Sequence, residues 1–407
     1  MTRFVYTAQK NDGEIYKGVA DAADRFDLYG VVRHEGGKIV SVSEERSNSI
    51  LSISYWSRKF SSVKEYDKIL MARNLGAMLG AGLSLARALA VLERQTKTPK
   101  LSDTISQLAS SIRRGDTLHD ALAKFPQVFS PLFVSMVRAG EEGGKLAESL
   151  QTIADQMERM YVIKKKIRGA LMYPGIIVCA IIGIGVFMMT SVVPSLAQTF
   201  EQMQVPLPTS TQIIIGLSNF LVQNTVISLT IAILSVGAII VFLRTNFGKK
   251  AGAYVAIHIP VIGKLVREVN AARTARTLAS LLSSGVAVIE SLEITAEVVQ
   301  NPFFRTVIHD ARESVGAGEP LSSAFSKRED LYPAFVGEMM SVGEETGDLA
   351  EMLKRLAIYY EDEVDRATRD MSTIIEPFLM LIIGAAVGFF AVSMITPIYS
   401  LSNNINS

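Results

Sequence analysis

GEEGGKLAESLQTIADQMERMYVIKKKIRGALMYPGIIVCAIIGIGVFMMTSVV, residues 140–193, reads as a glycine-bounded turn followed by one unbroken helix. Its first part, 146–167, mixes apolar and charged positions as a packed soluble helix does. Its last part, 171–193, is a run of 23 residues without a charge. A helix rises 1.5 Å per residue, so about 20 apolar residues cross a ~30 Å hydrocarbon layer. The soluble helix therefore feeds directly into a membrane span. Two further uncharged runs have the same reach, 221–243 with 23 residues and 377–396 with 20.

Outward from these runs, the composition falls into place. The chain has 407 residues, 49% hydrophobic and 20% charged, with 41 basic and 40 acidic side chains and net charge +1. That balance argues against a nucleic-acid-binding arm. Cys179 is the single cysteine, which excludes an internal disulfide and a cysteine-based zinc site. The opening MTRFVYTAQKNDGE lacks the apolar run of a cleavable secretory signal. Basic residues set a sidedness. Lys164, Lys165, Lys166 and Arg168 precede the first run, Arg244, Lys249 and Lys250 follow the second, and Arg366 and Arg369 precede the third. Segments 194–220 and 397–407 hold no Lys or Arg. The N-terminus and 244–373 are expected on the cytoplasmic side, and 194–220 and the C-terminus on the opposite side.

The chain also repeats itself. An ungapped offset of 203 residues aligns Arg73 with Arg276, Leu79 with Leu282, Gly115 with Gly318 and Leu118 with Leu321. Gly140-Glu141-Glu142 meets Gly343-Glu344-Glu345, Gly144 meets Gly347, and the prolines pair as Pro174 with Pro377 and Pro194 with Pro397. The expected fold is an all-α integral membrane protein with two homologous helical-bundle domains, three transmembrane helices and a small N-terminal α+β segment. The boundaries read as 1–45 for that segment, 46–62 for a serine-rich linker containing Trp56, and 63–170 for the first bundle. Spans follow at 171–193 and 221–243, separated by a loop at 194–220. The second bundle occupies 244–373, the third span 374–396 and a tail 397–407. Within 1–45, Phe4-Val5-Tyr6 and 15–19 flank Asn11-Asp12-Gly13 as a hairpin, followed by a helix at about 25–34 and a strand at 38–42.

No catalytic constellation emerges. His34, His119, His258 and His309 are isolated, and neither a phosphate-binding loop nor a serine elbow occurs. The Gly-Glu-Glu-x-Gly elements carry two readings. Glycines end one helix and carboxylates favour the start of the next; alternatively, Glu141, Glu142, Gly144, Glu344, Glu345 and Gly347 form paired surfaces that dock a basic partner or hold a cation. Pro174, Pro194, Glu376, Pro377 and Pro397 read as anchors at the span ends, the prolines sitting where helix N–H groups lack partners. Glu376 is expected in the first turn of its span, near Arg369 and Asp370.

Together these residues resemble the type II secretion F / type IV pilus C family of inner-membrane platform proteins. The resemblance rests on the duplicated domain, the Gly-Glu-Glu-x-Gly elements, Lys166-Ile167-x-x-Ala170-Leu171-x-Tyr173-Pro174, Pro194 and Pro397, and the opening residues Phe4, Tyr6, Ala8, Gly13 and Gly18. It implies six-helix bundles and an oligomeric, non-enzymatic platform without cofactors in a bacterial inner membrane. The implied partners are a cytoplasmic hexameric assembly ATPase, other inner-membrane assembly proteins, pilin or pseudopilin subunits and the bilayer. Some family domains bind calcium through acids one turn apart. The matching residues here are Gln151 and Asp155, where glutamine replaces a carboxylate, and Lys354 and Ile358 in the second copy. The alternative reading is an oligomeric transporter or channel, which the sparse polar residues of the runs (Gln223, Asn224 and scattered Ser and Thr) argue against.

Overall fold

A computed structural model describes residues 2–10, 15–22, 37–44, 62–202 and 208–405. The chain divides into a small N-terminal unit and a large helical one. The N-terminal unit holds a three-stranded antiparallel sheet of order β2-β1-β3, from β1 Thr2–Lys10, β2 Ile15–Ala22 and β3 Gly37–Glu44. Thr2 pairs with Ala22 and Gln9 with Ile15, the register of a hairpin, and β1–β3 slips once between Thr7 and Ala8. The turn 11–13, the expected helix at 25–34, the body of the linker and Trp56 lie outside the described residues.

The helical unit is built twice. Its first copy comprises α1 Glu65–Gly80, α2 Leu85–Gln95, α3 Pro99–Arg113, α4 Leu118–Ala123, α5 Pro131–Glu142 and α6 Leu146–Phe187. Then come α7 Val193–Gln202, α8 Thr209–Gln223, α9 Thr225–Arg244 and α10 Asn246–His258. The second copy comprises α11 Ile262–Ser283, α12 Val288–Val298, α13 Pro302–Gly316, α14 Leu321–Ser326, α15 Ala334–Thr346 and α16 Leu349–Ile405. The starts of α2, α3, α4, α5 and α6 recur 203 residues later.

Turn chemistry explains that fidelity. Among the described residues, the positive-φ glycines fall into three pairs at the same offset: Gly82 and Gly285, Gly115 and Gly318, Gly144 and Gly347. Each sits where a helix must turn back through a conformation that costs other residues about 1 kcal/mol or more. The cores match as well. Leu75 and Leu278, Leu89 and Leu292, Leu118 and Leu321, and Leu150 and Leu353 are all buried. Phe129 corresponds to Tyr332, which is fully buried, exchanges a 2.9 Å hydrogen bond with Thr274 and packs edge-on against Phe304 and Phe325.

Among the described residues, three helices are long and apolar enough to cross a membrane: α6 with its continuation to Gln202, α9, and α16. Ile182, Leu234 and Leu381 are among their exposed apolar side chains. Contiguous apolar surface of this extent is foreign to a water-facing helix. The helices depart from the expected boundaries in three places. Segment 194–220 is helical on both sides of 203–207, because α7 and α8 close an apolar cluster of Val193, Phe200 and Ile214 against Phe390 of α16. Thr211 ties that cluster down by donating to the Ser393 carbonyl at 2.6 Å. The second apolar helix begins at Thr225 rather than 221, since Asn224 leaves helical geometry at φ −117°, ψ 46°. The third does not yield to a tail at 397, because α16 runs to Ile405.

The prolines are also placed differently from expectation. Pro174 and Pro377 lie deep inside α6 and α16, not at helix starts, so each removes a ladder hydrogen bond from a continuing helix. Pro397 likewise lies within α16. Pro194 follows a single widened turn, Met188–Val192, as a ring that crowds the carbonyl four residues back would require. Glu376 is half-buried far along α16 rather than in a first turn, and Arg369 is turned to Asp365 instead.

Candidate functional site

The Gly-Glu-Glu-x-Gly elements separate into residues with distinct tasks. Gly140 packs so closely on the next helix that a Cβ would overlap Ser149, and Gly343 meets Leu349 in the same way. Glu141 reaches across to the start of α4: Leu118 N–H donates to Oε1 at 2.7 Å and His119 N–H to Oε2 at 3.1 Å. The His119 ring nitrogen Nδ1 lies 2.8 Å from the same Oε2. Glu344 repeats this on α14, accepting from the backbone of Leu321 and Ser322 and, at 2.6 Å, from the Ser322 hydroxyl. A carboxylate here satisfies helix-start N–H groups that have no helical partner. The sequence expectation assigned that charge to the following helix; the structure assigns it to a helix two elements earlier. Gly144 and Gly347 close α5 and α15 at φ 68° and 73°, and Lys145 N–H returns to the Gly140 carbonyl at 2.7 Å. Glu142 and Glu345 alone point outward, exposed at equivalent positions.

A second repeated element ties the first helix of each copy to its long helix. Arg276 holds Glu361 through two bonds, Nε–Oε1 at 2.7 Å and Nη2–Oε2 at 2.8 Å, with only 12% and 11% of the side chains exposed. Arg73 holds Glu158 at 2.6 Å in the equivalent place, with 36% and 43% exposed. It also holds Asp155 at 3.2 Å, and Gln151 Nε2 donates to the Arg73 carbonyl at 3.2 Å. The two residues matched to a calcium pair are thus engaged by one arginine. Its guanidinium also keeps the Glu158 carboxyl below the usual carboxylate range.

The two copies meet along α6 and α16, and here they stop being equivalent. Gln156 is buried between copies: Ser280 Oγ donates to its Oε1 at 2.9 Å, and its Nε2 donates to Thr277 at 3.4 Å. The matching positions of the first copy, Asn74 and Ala77, are exposed among the described residues. Farther along, Ile163 packs with Leu265, Val364 and Met371. Lys166 reaches Asp365 at 2.6 Å, and Arg369 closes on the same carboxylate. Those cations hold Asp365 below its ordinary pKa, the Lys166 hydrogen bond most strongly. A cleft of about 750 Å³ opens beside this seam, lined by Arg159, Lys166, Arg276, Lys354, Glu361 and Asp362 among others. Lys166 and Arg369 stand out in the sequence only as basic flanks of the apolar runs, and Gln156, Thr277, Ser280 and Asp365 carry no mark there. The usable signal was a break in the repeat, polar Thr277 and Ser280 standing where the first copy has Asn74 and Ala77.

Glu268, near the start of α11, is 4% exposed and its Oε2 has no hydrogen-bond partner. Lys264 Nζ lies 3.6 Å from Oε1. Burial raises this carboxyl's pKa, the Glu363 charge adds to the rise, and Lys264 opposes it. A carboxyl with a raised folded pKa binds more protons folded than unfolded, so stability falls as pH rises from the unfolded value through the folded one. Glu268→Gln is expected to raise the thermal midpoint at neutral pH, by the equivalent of about 1 kcal/mol. The gain should vanish in acid, where wild-type Glu268 is itself neutral. Unfolding of both proteins followed by circular dichroism across that range checks this, and a gain independent of pH would refute it.

A duplicated helical bundle whose last helix continues into an apolar run, with a third such helix between copies, defines a class of duplicated helical proteins with helices long and apolar enough to cross a membrane. The sequence pattern of the family described as type II secretion system (T2SS), protein F, matches residues 71–194 and again 274–397, the same 203-residue offset. The chain belongs to this family. Its relatives include the type IV pilus assembly protein PilC of Myxococcus xanthus, 31% identical over 99% of this chain and 96% of the relative. PilC of Thermus thermophilus is 34% identical over 84% of each chain. Type II secretion system protein F of Vibrio cholerae is 29% identical over 99% of each.

Proposed function

We propose that this chain is the inner-membrane platform of a type II secretion or type IV pilus machine, without enzymatic activity of its own. It passes the motion of a cytoplasmic assembly ATPase to pilin-like subunits as they enter or leave the bilayer. In this reading residues 63–170 and 244–373 are cytoplasmic bundles, the three apolar helices span the membrane, 1–45 is a small α+β unit, and copies associate into an oligomer with other inner-membrane assembly proteins. Glu142 and Glu345, exposed beside their turns, dock a basic partner surface.

One observation carries the proposal: α6 and α16 run for 42 and 57 residues without a break from bundle core into apolar segment. At 1.5 Å per residue these are rods of about 60 and 85 Å, stiff enough to transmit rotation or displacement. Inserting three or four residues after Ile167 or Met371 changes the phase between bundle and span by about 300° or 40°. Four residues also shift the register by one turn, carrying Ala170 or Ile375 out of its place against the Ile163–Met371 cluster. Both insertions are expected to abolish pilus assembly or secretion while the protein still reaches the membrane. A seven-residue insertion, which restores the phase to within about 20°, should recover more function than three. Full function in every insertion would refute rigid coupling.

A further inference from the structure

The short helix α10 has no counterpart in the first copy among the described residues, and the platform reading assigns it no task. It follows the apolar helix α9 after a single residue, Thr245, whose hydroxyl caps it by accepting the Gly248 N–H at 3.0 Å. Both of its ends are held rigidly. A Cβ on Gly248 would overlap the Phe242 carbonyl of α9, and one on Gly263 would overlap the Ile257 carbonyl. Between α10 and α11, Val261 takes φ 69°, a costly conformation for a β-branched residue. The chain therefore fixes where α10 lies relative to the end of the span, even at the expense of backbone strain.

The surface it presents has a definite chemistry. Phe247, Lys250, Tyr254 and His258 follow at spacings of three, four and four, which places them on one helix face, and all are exposed. Phe247 is 74% exposed and meets Phe242 of the span edge-on at 6.2 Å. Val255 and Ile259 add exposed apolar surface beside Tyr254. Arg244, Lys249 and Lys250 make no ion pair among the described residues, and the sequence contains no Asp or Glu between Glu201 and Glu268. Aromatic rings and unpaired cations without any acid, at the basic end of a span, match the headgroup layer of a membrane carrying anionic lipid.

We infer that α10 is an interfacial helix that seats anionic phospholipid headgroups against Arg244, Lys249 and Lys250, with Phe247 and Val255 at the acyl boundary. The inference rests on the membrane reading above. It gives the second bundle a fixed height above the bilayer, because α10 joins the lipid surface to α11 through a turn that cannot relax.

The full-length chain with Cys179→Ser supplies the test. A single cysteine at Val255, at mid-span Leu234 or at Lys327 on the bundle carries a fluorophore, in vesicles of phosphatidylcholine and phosphatidylglycerol with one lipid brominated. Leu234 should be quenched by deeply brominated lipid and Lys327 by none. Val255 should be quenched several-fold more than Lys327, and more by brominated phosphatidylglycerol than by brominated phosphatidylcholine. The preference can reach about fivefold per basic side chain and should collapse in Lys249→Gln/Lys250→Gln. Quenching at Leu234 without quenching at Val255 would overturn this inference, leave the membrane reading intact and assign the face to a protein partner. Absence of quenching at Leu234 would overturn both. Equal quenching by the two lipids at Val255 would overturn the selection of anionic headgroups.

Discussion

Arg276→Met is expected to destabilise the second bundle by about 3 kcal/mol, whereas Arg73→Met, its equivalent in the first, costs less than about 1 kcal/mol. The two arginines occupy the same place in the repeat and hold equivalent glutamates, so residue type cannot separate them. Burial does. Arg276 and Glu361 are almost enclosed, and removing the guanidinium strands a carboxylate where water cannot replace its two hydrogen bonds. Arg73 and its partners are open to solvent, which screens and rehydrates the charges left behind. Removing both buried charges, as Arg276→Met/Glu361→Leu, should recover most of the loss, because neither member is then left unpaired. Chemical unfolding of the solubilised chain measures all three variants. Equal losses for the two arginines would show that burial is not what distinguishes them.

Glu344→Ala is expected to cost about 2 kcal/mol, since it strands two helix-start N–H groups and a hydroxyl that the carboxylate accepts together. Glu141→Ala should behave alike in the first bundle. Glu344→Gln, which keeps one acceptor oxygen, should lose less than the alanine variant. The adjacent acids give the contrast that matters for function: Glu142→Ala and Glu345→Ala remove exposed groups and should leave stability within about 0.5 kcal/mol of wild type. Loss of secretion or pilus assembly in these two variants at unchanged thermal midpoint would support docking. Wild-type function in the double variant Glu142→Ala/Glu345→Ala would sink it.

Much of this architecture is written in short-range patterns. The uncharged runs, the 203-residue offset and the glycines that end helices are local in sequence, and helix formation responds to local signals. Helix α6 was legible from 146–193 alone because its mixed apolar and charged part leads directly into an uncharged run. The fate of 194–220 was not. With no Lys or Arg and Glu201 as its one charged residue it reads as a loop, and Phe390, far away on α16, helps supply the apolar surface on which α7 and α8 pack.

What the sequence by itself determined is that the chain is duplicated, helical and three times apolar enough to span a membrane, because each property depends on neighbours a few residues apart or on a single fixed offset. What only the tertiary structure decided is which member of each repeated pair carries weight. Glu141 and Glu344 belong to a helix start more than twenty residues upstream, Arg276 is enclosed where Arg73 is not, and Gln156 finds Thr277 and Ser280 across the seam. The reason is physical: a hydrogen bond or ion pair takes its strength from exclusion of water, and exclusion depends on what packs above it from elsewhere in the chain. Two copies with one sequence pattern thus acquire different energetics once one of them is covered by the other's long helix.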